Sequence, residues 1–215
     1  MKTTDRSWND FWNAQDSPRE SWSKIRMKRI IDPFLQSGKT ILDAGCGSGF
    51  FSGYFCDRGL HVTSVDYSEN ALTITKRITF DRAKIIQADL FSDDFAGRFK
   101  NEFDLVFSDG LFEHFQRPQQ GRLLSVFKNV LKDRGMILTF VPNLFSPWTI
   151  IRPFYMPGIE EKPFTIKRLI ALNEESGLNI VSSGGINVLP WACSPEGIVA
   201  RHFGMIVFAI STPTI

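Results

Sequence analysis

Ile41-Leu42-Asp43-Ala44-Gly45-Cys46-Gly47-Ser48-Gly49 decides the fold. A short apolar run enters glycines at alternate positions, and an amphipathic stretch led by Phe50 and Phe51 follows. Glycines at 45, 47 and 49 let the backbone turn sharply and let a ligand approach without meeting a Cβ, while the amides of a helix start favour carboxylate or phosphate oxygens. The pattern implies a nucleoside-like ligand, although such loops also form where a strand packs tightly on a helix.

Outward from this loop, short apolar runs alternate with amphipathic stretches, as β-α-β units do. The runs are 40–43, 61–66, 84–88, 103–107 and 136–141, read as strands one to five. Phe50, Phe51, Tyr54 and Phe55 share a helix face that Gly59 stops, and Ser68 caps a helix over 69–77. Leu123, Leu124, Phe127, Val130 and Leu131 form another such face. Upstream, Ser17-Pro18-Arg19-Glu20 marks a helix start, with Trp22, Ile25 and Ile30 expected on its buried side, and Trp8, Phe11 and Trp12 form a covering apolar face. Downstream, five prolines between 142 and 163 point to a loop or lid, whose Phe145, Trp148, Phe154, Tyr155 and Met156 would, with Trp8, Phe11 and Trp12, close over a partly apolar acceptor or else fold back into satellite core or a dimer interface. Thr165 then caps a helix ending at Gly177, and 178–182 and 204–210 read as two last strands.

The acids beside the glycine loop define the ligand further. The position three after Gly47 is Phe50, whose bulk opposes a pyrophosphate, and Asp43 would repel one while suiting an ammonium group or ordering the loop. Asp66 ends the second run and suits a ribose diol, with Tyr67 placed against a purine. Asp89 can accept an exocyclic amine, with Leu90 bordering the ring. Each aspartate serves equally well as a helix cap.

Taken together, Asp43 to Gly49, Asp66, Asp89 and Phe103-Asp104-Leu105-Val106 resemble the class I S-adenosylmethionine-dependent methyltransferases of small-molecule type, over about 40–141. The resemblance implies an α/β, Rossmann-like three-layer sandwich with a seven-stranded, mostly parallel sheet whose last strand is antiparallel and inserted between strands five and six. It implies S-adenosylmethionine as cofactor, held by Asp43, Gly45, Cys46, Gly47, Gly49, Asp66, Tyr67, Asp89, Leu90, Ser108 and Asp109. In Ser108-Asp109-Gly110-Leu111-Phe112-Glu113-His114, beyond the fourth strand, His114 is the candidate base and Glu113 its orienting partner; a structural histidine is the alternative. Two other functions stay open, a silent S-adenosylmethionine-binding protein and an NAD(P)-dependent oxidoreductase.

Composition narrows the partners. Lys and Arg number 25 against 23 Asp and Glu, which gives no broad field for nucleic acid. The motifs of the amino-methylating DNA enzymes (Asn/Asp-Pro-Pro-Tyr/Phe) and of the cytosine-methylating ones (Pro-Cys) are missing from the sequence. A small, partly apolar acceptor is expected instead. No apolar stretch is long enough to span a bilayer and no secretory leader opens the chain, so the expected location is cytoplasmic. Cys46, Cys56 and Cys193 lack paired spacing, so neither disulfide nor metal site is expected. One domain is expected over 1–215: cap helices at 1–38, cofactor core at 39–141, lid at 142–165 and C-terminal helix and strands at 166–215. The sequence leaves self-association into a homo-oligomer open.

Overall fold

The computed structural model describes residues 12, 20–150 and 161–214. Helix α1 (Trp22–Ile31) precedes β1 (Thr40–Ala44), α2 (Phe50–Asp57), β2 (His61–Asp66), α3 (Glu69–Thr79), β3 (Lys84–Gln87), α4 (Asp93–Arg98) and β4 (Phe103–Asp109). Then follow α5 (Arg117–Val130), β5 (Leu131–Pro142), α6 (Ile166–Glu175), β6 (Leu178–Ile186), α7 (Ile198–Phe203) and β7 (Ile206–Pro213). The sheet has seven strands in the order β3-β2-β1-β4-β5-β7-β6. Strands β1 to β5 pair in parallel, and β7 lies antiparallel between β5 and β6. This is the expected sheet. The order reverses beside β1, which opens a crevice at the carboxyl ends of β1 and β4.

Both sheet faces are buried, and phenylalanine fills much of the space. Phe99, Phe103, Phe112, Phe127 and Phe164 pack on one face with Leu123, Leu124, Leu169 and Leu172 from α5 and α6. Phe51, Phe55, Phe107 and Phe140 pack on the other, with Met27 and Ile31 of α1. That use of large rigid rings accounts for much of the chain's 20 phenylalanines.

Local signals set most boundaries. Ser68 Oγ accepts from the Ala71 amide and Thr165 Oγ1 from the Arg168 amide, as N-caps do. Gly59 and Gly177 have φ of 75° and 72° just beyond their helices. Strand β5 begins earlier than the apolar run at Met136, because Leu131 pairs with Phe103 before the register shifts, so Leu131 belongs to the strand and not to the preceding helix. Strand β4 runs on to Asp109, β6 to Ile186 and β7 to Pro213.

The first helix differs more. It starts at Trp22 with Ser21 as cap, and its buried residues are Arg26, Met27 and Ile31, whereas Trp22 is exposed. Arg26 explains the rotation. Its guanidinium donates to Asn187 Oδ1 at 2.6 Å and the Trp191 carbonyl at 2.7 Å, and its Nε pairs with Glu196 at 2.7 Å. The helix is therefore turned toward the segment between β6 and α7. The expected helix start at Ser17, the residues Trp8 and Phe11, and Phe154, Tyr155 and Met156 of the lid lie outside the described residues.

Short helices α4 and α7 have no counterpart in the sequence reading. At Gly185 a Cβ would collide with the Ala200 carbonyl, so glycine lets α7 lie directly on β6. Among the described residues the three cysteines are free, and no helix is long and apolar enough to cross a membrane.

Candidate functional site

A cavity of about 580 Å³ opens at the carboxyl ends of β1, β2 and β4. Its wall carries Asp43, Gly45, Cys46, Gly47, Asp66, Tyr67, Asp89, Leu90, Asp109 and His114, ten of the residues singled out from sequence. Gly49 and Ser108 are not in that wall.

The loop is built by pinning it to β2. The amides of Gly45 and Cys46 both donate to the Val65 carbonyl, at 2.8 and 3.0 Å. The Gly47 amide donates to Asp66 Oδ2, and the other oxygen of that carboxylate accepts from the Ser68 amide, both at 2.9 Å. Asp66 thus orders the loop and the start of α3 at once, and its remaining lone pairs are available to a diol. Burial pushes its pKa up, against the lowering effect of the amides of Ser68, Gly47 and Tyr67.

Gly47 has φ of 53°, and a Cβ there would stand 2.7 Å from the Trp12 indole, which also lines the cavity. Trp12 is the one described residue of the upstream apolar face, and it lies in the cavity wall. Gly49 works differently: a Cβ on it would lie 2.6 Å from Thr75 Cα, so it brings the start of α2 against α3. Its place is in helix packing, not in the cavity wall. Cys46 is buried beside Thr75, and burial raises its thiol well above the ordinary value, which removes it as a nucleophile.

Asp43 is 3% exposed. Ser52 Oγ donates to its Oδ2 at 2.5 Å, and Ser64 donates to Ser52 at 2.8 Å. Burial raises its pKa to about 7, helped by the nearby carboxylates of Asp109 and Asp66 and opposed by the Ser52 bond. Such a group is poised to ionise when a cation arrives.

Asp89 is exposed at the rim and accepts from the Phe91 amide at 2.8 Å in a turn ahead of α4, whose N-cap is Ser92 and not Asp89. Tyr67 stands half exposed at the mouth, and Leu90 is buried behind it.

At the end of β4 and just past it, Asp109 and Gly110 line the cavity, whereas Ser108 is fully buried. The reason is alternation: because the strand continues to Asp109, Ser108 points into the packed face. The Ser108 hydroxyl has no hydrogen-bond partner among the described residues. His114 sits on a 3-10 turn, Phe112–His114, with Glu113 only 1% exposed. Its Nε2 lies 4.0 Å from Glu113 Oε1 and 3.9 Å from Glu161 Oε1. Glu161 lies inside the expected lid, 142–165, and had no sequence signal of its own. These three side chains offer donor atoms within 4.8 Å of one another, a spacing compatible with metal ligation where none was expected.

Sequence reasoning also missed Lys24. This residue of α1 lines the cavity, and its Nζ stands 4.1 Å from the centre of the Phe50 ring. Burial lowers its pKa while Asp109 raises it. Of the lid aromatics that are described, Phe145 is exposed, Trp148 is half-buried, and neither lines the cavity.

A family model described as a methyltransferase domain matches residues 41–135. Ubiquinone biosynthesis O-methyltransferases are among the relatives: one from Thiobacillus denitrificans is 28% identical over 126 residues, covering 58% of this chain and 53% of that protein. Another, from Aromatoleum aromaticum, is 35% identical over 111 residues, covering 50% and 47%. The chain thus spans about half the length of these curated relatives. In solved structures, a SAM-dependent methyltransferase from Archaeoglobus fulgidus aligns with TM-score 0.69 at 20% identity, over 88% of this chain and 92% of that one. Glycine loop, strand-end acids and antiparallel β7 accompany the match of residues 41–135 to a methyltransferase domain, and the chain has the fold of the S-adenosylmethionine-dependent methyltransferases.

Proposed function

We propose that the chain transfers a methyl group from S-adenosylmethionine to an oxygen, nitrogen or carbon atom of a small, partly apolar acceptor. The observation that carries this reading is the single cavity in which Asp43, Asp66, Asp89, Asp109 and Lys24 meet the glycine loop. The donor has complementary groups: a ribose diol for Asp66, an adenine for Tyr67, Leu90 and Asp89, an ammonium for Asp43 and Asp109, and a carboxylate for Lys24. When bound, it supplies an activated methyl on a sulfonium that leaves as a neutral thioether.

The protein's own work is positioning. Methyl transfer is an in-line displacement, so aligning acceptor and methyl supplies most of the acceleration. Where the acceptor is a hydroxyl or a protonated amine, His114 takes its proton, and the carboxylates of Glu113 and Glu161 favour the imidazolium that results. Leu111 and Phe115 beside His114 give that end of the cavity its apolar character. The names of the ubiquinone O-methyltransferase relatives favour an aromatic hydroxyl as the first acceptor class to test. A nicotinamide dinucleotide fits less well, since Asp43 and Phe50 both face the cavity where a pyrophosphate would lie.

Calorimetry with S-adenosylmethionine, S-adenosylhomocysteine and NADH, followed by a release assay for S-adenosylhomocysteine across phenols, amines and carbon acids, tests the proposal. Binding of the first two alone, with turnover on one acceptor class, is expected. Heat from NADH alone overturns the donor assignment, and donor binding without turnover on any class favours a silent binding protein.

A further inference from the structure

The turn that carries His114 is held by a side chain remote from the cavity's interior. Gln120, on α5, is fully buried. Its Nε2 donates to the Phe112 carbonyl and to the Phe115 carbonyl, both at 2.9 Å. These two carbonyls bracket Glu113 and His114, so one amide group spans both ends of the turn. Both N–H bonds of the amide are used. Its oxygen accepts from Arg168 Nη2 at 3.2 Å, which fixes the direction in which the amide faces.

Arg168 belongs to α6 and lies with its guanidinium 4.6 Å from the centre of the buried Phe164 ring. Phe164 in turn is tied to the end of β5, its amide donating to the Pro142 carbonyl at 2.8 Å. From the same segment the Lys162 amide donates to the Glu113 carbonyl at 2.8 Å. The turn is therefore gripped from α5 on one side and from the chain entering α6 on the other. Its own bonds are weaker: the His114 and Phe115 amides reach the carbonyls of Leu111 and Phe112 at 3.3 and 3.2 Å.

We propose that Gln120 is a positioning residue for His114, with Arg168 setting its orientation, so that the C-terminal helix α6 takes part in aiming the imidazole at the acceptor. The inference rests on the methyltransferase reading for its purpose but not for its geometry. A buried amide whose donors both close on one short turn does more than fill space; a leucine of similar volume would satisfy packing but take the amide donor from the Phe115 carbonyl and leave the Phe112 carbonyl with only its 3.2 Å bond from the Phe115 amide. Displacement of the ring by about 1 Å is enough to cost on the order of 10²-fold in turnover.

The chain has only three histidines, His61, His114 and His202, which makes ring signals readable by NMR. Spectra at one neutral pH, with saturating S-adenosylhomocysteine, compare wild type with Gln120→Leu, Gln120→Glu and Arg168→Met. The His114 signal is expected to move and broaden in both Gln120 variants and to a smaller extent in Arg168→Met, while His61 and His202 keep theirs and affinity for S-adenosylhomocysteine stays within about twofold. Gln120→Glu is decisive because it keeps the shape and the Arg168 contact but replaces the amide's donors. An unchanged His114 signal in Gln120→Glu overturns the proposal, as does an unchanged signal in Gln120→Leu beside a lowered melting temperature. Arg168→Met gives the same reading should both Gln120 variants fail to fold: an unmoved His114 signal there sinks it. Absence of S-adenosylhomocysteine binding by the wild type would count against the methyltransferase reading instead, and the ring spectra would still decide the clamp.

Discussion

The Gly47 amide and Asp66 Oδ2 are joined at 2.9 Å, so the glycine loop and the end of the second strand form one unit before any ligand arrives. Removing that carboxylate should act on both. Asp66→Ala is expected to weaken S-adenosylhomocysteine binding by about 10²-fold, the scale of losing charge-assisted bonds to a diol, and to lower the melting temperature. Titration calorimetry and a thermal melt check the two effects separately.

Asp43 gives a pH signature. Its carboxyl is shifted upward, from an ordinary 3.8 to about 7. The folded state therefore holds a proton that the unfolded chain has released, and the associated stability is complete below about pH 4 and is lost as pH rises through about 7. Donor-free wild type should lose melting temperature between pH 5 and 8 more steeply than Asp43→Asn. At pH 8 the variant should melt higher yet bind S-adenosylhomocysteine more weakly. Parallel melting curves for the two proteins would contradict this.

Gly49→Ala separates packing from binding. Its φ of 71° costs an alanine about 1–2 kcal/mol, and the new methyl would meet the Thr75 backbone as well. A total loss of ~3 kcal/mol is expected from denaturant melts, with donor affinity of the folded fraction nearly unchanged. A larger effect on affinity than on stability would return Gly49 to the cavity wall.

Lys24→Met keeps the aliphatic stem over Phe50 and removes the ammonium. Affinity for S-adenosylhomocysteine should fall by about tenfold, or ~1.4 kcal/mol. Binding of 5'-methylthioadenosine, which lacks the amino-acid end, should be unaffected. Equal losses for both ligands would place Lys24 elsewhere on the donor.

Most of the sheet was legible because its central strands are short runs of apolar residues, bounded by glycines and aspartates with mechanical reasons for being there. The cavity wall was legible for the same reason, since strand ends and the tight loop lie next to one another in sequence. Ser108 was misplaced because β4 continues past it to Asp109, so its side chain alternates into the packed face and not into a loop at the cavity. Lys24, Glu161 and Gln120 were invisible for another reason. Each gains its role from a partner outside its own local pattern: Lys24 from Asp109, Glu161 from His114, Gln120 from a turn and from Arg168. Likewise the face that α1 buries follows from Asn187, Trp191 and Glu196, which no periodicity within 22–31 contains.

Because Arg26 reaches across to Asn187, Trp191 and Glu196, the first described helix and the last connection before β7 share a single fastening. Trimming this protein to the region its family model covers, 41–135, would remove both ends of that fastening. Such a trimmed chain would retain β2 to β4 and nearly all of β1 but surrender the helix that delivers Lys24, most of β5, and the strands β6 and β7. The smallest working version of the molecule must therefore include both extremities.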